Sequence, residues 1–386
     1  MTELAKKYQK KSDKQHILDN PDMYIGSIEK VNTNIFIYDN ENKKIVEKTI
    51  NYIPGLYKLF DEGIVNCRDH VVRMQQLISS STNENNYPVN NINITISNDG
   101  IVTLTNDGNG IDISIHPEYK VWIPELIFGH LRTSTNYDKS EKKIVGGKNG
   151  FGFKLVLIWS TWGMIETVDA KTGQKYIQEF KDNLNIIEKP KISKCKNKPY
   201  TSVSFKPDFK RLGFKEENFD NDFKQLMIRR IFDIAAVTDK SVKVKYNSQK
   251  LDPEIKDFES YVNLYIGSKS DTQRVYEKAN ERWEYFVCLA SNEEFTQVSF
   301  VNGINTYKGG KHVDYIINQI VKKLTSYIKE KKHIDVKPAS IKEQLMIFVN
   351  TTIENPASVL AWTVLVIAPT SFVAVVPPFA TQFQLT

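Results

Sequence analysis

In the stretch FDEGIVNCRDH, Phe60 to His70, a carboxylate, an amide and a second carboxylate fall at Glu62, Asn66 and Asp69. At helical pitch this i, i+4, i+7 spacing puts all three on one face, with apolar residues behind them. A carboxylate so placed can take a proton from a water molecule. An amide carbonyl is a suitable oxygen ligand for Mg²⁺, which prefers oxygen donors and keeps part of its water shell. A polar row is also what an ordinary solvated helix face carries, so the chemical reading depends on what the rest of the chain adds.

Three further stretches add to it. In TNDGNGID, Thr105 to Asp112, Asn106 and Asp107 follow a strand-like run and precede Gly108 and Gly110. A polar side chain there can face a pocket while the backbone turns away sharply. In VGGKNGFGFK, Val145 to Lys154, the glycines Gly146, Gly147, Gly150 and Gly152 lead into an apolar helix start, a setting in which free backbone amides can receive an anion. It is not a Walker A loop: counted from Gly147 to Gly152, Phe153 stands where Lys belongs and Lys154 where Ser or Thr belongs. In LRTSTNYD, Ser134, Thr135 and Asn136 offer hydroxyl and amide partners for phosphate or ribose oxygens.

The elements that must position these groups are readable in outline. Apolar residues at Leu56, Phe60, Ile64, Cys67, Val71 and Met74 predict a helix over Tyr52 to Leu77. NINITISNDG and GIVTLTND predict a hairpin turned at Asp99-Gly100. Gly108 to Asn149 reads as loop, FGFKLVLIWST as the start of a buried helix, and GMIETVDA, KYIQEFKD and TSVSFKPD as strands. FKQLMIRRIFDIAAVT reads as a second helix. A second unit is expected from about Asp252-Pro253, with strands in RWEYFVCLAS and FTQVSFVNG, an amphipathic helix from His312 to Lys331, and a further helix in IKEQLMIFVN. Helices on one face of a largely antiparallel sheet make this an α+β chain.

Composition narrows the class. With 40% hydrophobic and 25% charged residues over 386 positions, two domains of ordinary globular make-up are expected. The net charge of +6 and basic clusters such as Lys322 to Lys332 permit a polyanionic partner. Three scattered cysteines indicate neither a disulfide framework nor a zinc site. The opening MTELAKKYQKKSDK has no apolar signal core. From Ser358 to Thr386 charged residues vanish, but Pro369, Pro377 and Pro378 break the run and SVLAWTVLVIA is short of the ~20 residues a span needs, so no membrane partner is expected.

Taken in order, Glu-x-x-x-Asn on a helix, Asn-x-Gly-x-Gly after a strand, and a glycine-rich loop resemble the Bergerat nucleotide fold of the GHKL ATPases. The likeness extends further: YQKKSDKQHILDNPDMYIGS, GLYKLFDEGIVN, TSTNYD, GGKNGFGFK, SFVNGINTYKGGKHVDYI and VKPASIKEQLMIFVNTTIENP are similar to the ATPase region of the eukaryotic and viral type IIA DNA topoisomerase II family. The resemblance implies a GHKL α/β sandwich with a mixed sheet over residues 1–252, a smaller α/β transducer domain over 253–357, and an atypical tail over 358–386. Its cofactors would be ATP and Mg²⁺. Its partners would be double-stranded DNA and a second copy of the chain, joined on ATP binding. The setting would be intracellular: the nucleus of a eukaryotic cell, or the cytoplasm or virus factory for a virus.

Roles follow from the same resemblance. Glu62 would be the general base, and Asn66 would bind Mg²⁺. Asn106 would stand where the wider group reads adenine with Asp, with Asp107 beside it. Ser134, Thr135 and Asn136 would meet ribose and phosphates, and Gly147, Lys148, Asn149, Gly150, Phe151, Gly152, Phe153 and Lys154 would wrap the triphosphate. Tyr24 matches the arm that crosses to the partner's nucleotide. Basic residues including Lys308, Lys311, Lys329, Lys331 and Lys332 would line captured duplex. Two departures stand out: His70 where the family more often has Asn, and an uncharged run after IENP where the family carries Gln-Thr-Lys, with no lysine after Lys342. Loss of that lysine implies weaker turnover than binding, and the corresponding alternative is a nucleotide-dependent dimerisation module. Nothing here resembles the DNA-breaking core, so the chain alone is not expected to relax DNA.

Overall fold

The computed structural model describes residues 11–80, 86–131, 133, 144–145 and 152–354. The chain enters through α1 (Asp13–Asp19), capped by the Ser12 hydroxyl, and a 3-10 turn at Pro21–Met23. A hairpin follows, β1 (Val31–Asp39) and β2 (Lys44–Tyr52), turned where the Asp39 carboxylate accepts from the amides of Glu41 and Asn42. Next come α2 (Pro54–Ser80), β3 (Asn91–Ile96), β4 (Val102–Asp107), α3 (Ile123–Gly129), α4 (Gly152–Ile158) and β5 (Ser160–Val168). The first unit is completed by β6 (Gln174–Lys181), β7 (Ile186–Ile187), β8 (Lys191–Lys194), β9 (Tyr200–Pro207), α5 (Asn221–Val237), β10 (Lys243–Tyr246) and β11 (Gln249–Lys250).

The main sheet runs β11-β10-β3-β4-β9-β5-β6-β7, with β8 also on β6; β10 and β3 are parallel and the other pairs antiparallel. Strict alternation in β3 and β4 buries Ile92, Ile94, Ile96, Val102 and Leu104 on one face. The helix α2 comes close to that face because position 63 is glycine: a Cβ there would stand 2.3 Å from Leu104 Cδ1. The helices α4 and α5 flank α2. The β1–β2 hairpin packs Ile37 and Ile50 on Leu226 of α5, and the Tyr38 ring meets that of Phe232 at 4.5 Å, tilted by 33°.

The main division of the chain into two compact units falls between Glu254 and Ile255. The second unit holds α6 (Phe258–Ile266), β12 (Arg274–Asn280), β13 (Trp283–Leu289), β14 (Thr296–Val301), β15 (Ile304–Asn305), α7 (Lys311–Lys332), α8 (Pro338–Glu343) and β16 (Leu345–Thr351). Its sheet order is β12-β13-β16-β14-β15, with β14 and β16 parallel. The helix expected in IKEQLMIFVN stops at Glu343, and LMIFVNT is the central strand β16. Leu345, Ile347 and Val349 face the α7 core, while Phe348 meets Tyr265 of α6 at 5.2 Å. A strand covered on both faces has a continuous apolar run, which periodicity cannot tell from a buried helix. The loop-rich stretch from Gly108 to Asn149 also carries the short helix α3.

Candidate nucleotide site

The row on α2 forms, but its three members have different surroundings. Glu62 lies on the accessible side of the helix, and its Oε1 receives Lys58 Nζ at 2.7 Å. Burial alone would lower the Lys58 amine, yet the charges of Glu62 and Asp61 override it and hold it above its ordinary value. Glu62 Oε2 faces α4: a Cβ on Gly152 would be 2.5 Å from it and 3.9 Å from Asn66 Nδ2. Glycine at 152 is therefore what leaves space in front of the acid and the amide together. Asp69 is buried beside Arg68, its Oδ1 3.8 Å from Nη1, and does not share that opening.

At the end of β4, alternation separates the neighbours Asn106 and Asp107. Asn106 is buried on the face of Leu104, the residue under Gly63 of α2, and its Nδ2 donates to Asp107 O at 2.9 Å. Asp107 instead accepts from Asn90 N at 2.7 Å, Asn91 N at 2.8 Å and Asn91 Nδ2 at 2.8 Å, which fastens the start of β3. The following turn needs its glycines: Gly108 has φ +101° and lies against the His70 ring, and a Cβ on Gly110 would overlap Val168 O at 1.9 Å. His70 is held to about 4 by burial and by Arg73, so its imidazole is neutral near pH 7.

On α4, Phe153 enters the core edge-on to Phe128 and Phe205, at 5.7 and 5.9 Å. Lys154 is buried and donates from Nζ to Thr133 O at 2.6 Å; burial lowers its amine to about 8. Tyr24 stands in the N-terminal segment with its hydroxyl 3.0 Å from His16 Nδ1. Ser134, Thr135, Asn136, Gly147, Lys148, Asn149, Gly150 and Phe151, and the tail from 358, lie outside the described residues. Three residues that matter locally were not singled out from sequence: Lys58, Gly63 and Arg230. Only Lys58 had a signal, its i, i+4 relation to Glu62.

The donor set fits Mg²⁺ held largely by a nucleotide. Among the described residues no cluster of three or more His, Cys, Asp or Glu side chains could hold a metal by itself. One neutral amide side chain, Asn66, beside a glycine opening suits an ion that takes few protein ligands and completes its shell with phosphate and water.

Comparison with known proteins gives the family. The family described as DNA gyrase B matches residues 246–358. DNA topoisomerase 2 of Candida glabrata is 43% identical over 371 residues, covering 92% of this chain and 25% of the relative. The crystal structure of the ATPase region of Saccharomyces cerevisiae topoisomerase II superposes with TM-score 0.82 at 42% identity, covering 92% of this chain and 88% of that one. The ATPase and transducer domains of DNA topoisomerase II from Balamuthia mandrillaris give TM-score 0.81 at 35% identity, covering 91% and 86%. Fold and site together define an ATPase region of GHKL type with a mixed α+β architecture. Within that class, the chain belongs to the DNA topoisomerase II family. It spans about a quarter of the length of the curated relatives it matches.

Proposed function

We propose that this chain binds and hydrolyses ATP as the N-terminal gate module of a DNA topoisomerase II, and that two copies close on ATP to capture a segment of double-stranded DNA. The observation that carries the reading is the convergence of Glu62, Asn66 and the glycine at 152. Glu62 Oε2 accepts the proton of the attacking water. Asn66 would hold Mg²⁺ through its side-chain amide, and the ion would supply positive charge to offset that of the phosphates. Asn106, buried beside α2, supplies the amide that recognises the base. Ser134, Thr135, Asn136 and residues 147–154 are assigned to ribose and phosphate recognition, and Tyr24 to the arm that reaches the partner copy. Exposed lysines on α7, including Lys329, Lys331 and Lys332, make sequence-independent phosphate contacts. Among the described residues no helix is long and apolar enough to cross a membrane; the proposed place of action is that of the DNA, nuclear or viral.

Sedimentation velocity with Mg²⁺ and a non-hydrolysable ATP analogue tests the nucleotide-driven closure. The unaltered chain should sediment faster when the analogue is added, and Gly152→Val should bind no analogue and show no change. Analogue binding that survives Gly152→Val would move the site elsewhere.

A further inference from the structure

The two oxygens of Glu62 have different neighbours. Oε1 is on Lys58 Nζ at 2.7 Å, and Oε2 faces the glycine opening of α4. Lys58 has a second carboxylate within reach, Asp61 Oδ2 at 3.8 Å, so its ammonium could go to either acid. The helix α5 supplies the difference. Arg230 has no exposed surface, and its Nε donates to Asp61 Oδ1 at 2.7 Å while Nη1 lies 3.7 Å from Asp233 Oδ2. Burial opposes the charge on Asp61, but Arg230, Lys58 and Arg229 outweigh it and keep the carboxyl below its ordinary value. On α4, Lys154 Nζ donates to the Thr133 carbonyl.

We infer that Arg230 is a positioning residue for Glu62: by holding Asp61 toward α5 it assigns Lys58 to Glu62 Oε1, and so leaves Oε2 as the oxygen presented to the nucleotide. The inference rests on Glu62 being the general base. Without Arg230, Asp61 is a largely enclosed carboxylate, its side chain 13% exposed, and Lys58 is the cation left within 4 Å of it, so the cost of leaving that charge unpaired draws the ammonium to it. Glu62 then loses its clamp and turns freely. A base must hold its oxygen within hydrogen-bond reach of the water, and small displacements of such groups are costly in rate.

The test compares Arg230→Met, the double variant Asp61→Asn with Arg230→Met, and Lys58→Met added to that double, by nucleotide affinity, Mg²⁺-ATP turnover and crystal structures without nucleotide. In Arg230→Met, turnover should fall about tenfold or more with affinity changed less than about twofold, and Lys58 should sit on Asp61. In the double variant an amide no longer competes for the ammonium, so Lys58 should return to Glu62 and turnover should recover to within about threefold of the unaltered chain. Adding Lys58→Met should remove that recovery. Arg230→Met takes a guanidinium from between Asp61 and Asp233 and can fail to fold, whereas the double variant also removes the Asp61 charge; it then carries the comparison with Lys58→Met.

A folded, nucleotide-binding double variant with slow turnover would overturn the inference. So would a structure of Arg230→Met with Lys58 still on Glu62, a readout that needs no turnover. Retained turnover in Glu62→Gln would overturn the general-base reading instead, which keeps the two failures apart.

Discussion

The helices α2 and α7 are both long, with 27 and 22 residues, and they use that length differently. The inward stripe of α7 is Val313, Ile316, Ile317, Ile320, Val321, Leu324 and Ile328, packed on Val287, Ile347 and Val349, with exposed lysines on the outside. The helix α2 buries Leu56, Leu59, Phe60 and Ile64, but also Arg68 and Asp69, and it meets the sheet through a glycine. A helix that serves a core keeps a clean amphipathic pattern. A helix that carries chemistry departs from it where side chains must pair across elements or where a neighbour must come close.

That contrast makes graded predictions. Leu324→Ala, on the fully buried stripe of α7, should cost about 2–5 kcal/mol, read by chemical denaturation of the chain. Gly63→Ala on α2 should cost about 1–3 kcal/mol through overpacking against Leu104, although it adds a single methyl to a helix. An equal loss from Gly63→Ala in a Leu104→Ala background would show that general backbone effects, not the approach to β4, are being measured. Asn66→Ala, half-buried in the polar row, should change stability by less than about 0.5 kcal/mol and yet abolish the Mg²⁺ dependence of nucleotide affinity, followed by calorimetry with and without the ion. Lys329→Gln, exposed at the end of α7, should be neutral in stability and should lower the salt dependence of duplex DNA retention by about one unit of slope.

The sequence was most informative where a single element sufficed. The Glu62–Asn66 spacing, the Asp99-Gly100 turn and the stripe of α7 each follow from local geometry, and α2, the β3–β4 pair and α7 stand where those patterns put them. What was hidden depended on partners distant in sequence. The hairpin β1–β2 alternates with Asn, Thr and Lys, and its apolar side is set by Leu226 and Phe232 on α5 and Tyr57 on α2. The strand β16 lacked periodicity because both faces are covered. Asp107, adjacent to Asn106, faces the other way and fastens the start of β3 through Asn90 and Asn91. Arg230 lies on a largely buried helix, and its guanidinium is accounted for by Asp233 on the same helix and by Asp61, distant in sequence, on α2.

The central claim is that the row on α2 is a hydrolytic site, with Glu62 acting on the water and the surrounding residues binding the nucleotide. Its most direct test is Mg²⁺-dependent ATP turnover by the purified chain and by Glu62→Gln, with nucleotide affinity measured on both. The account predicts turnover by the unaltered chain, a loss of about 10²- to 10⁴-fold in the variant, and affinity that is preserved. Equal turnover in the two proteins, or tight binding with none in either, would contradict it.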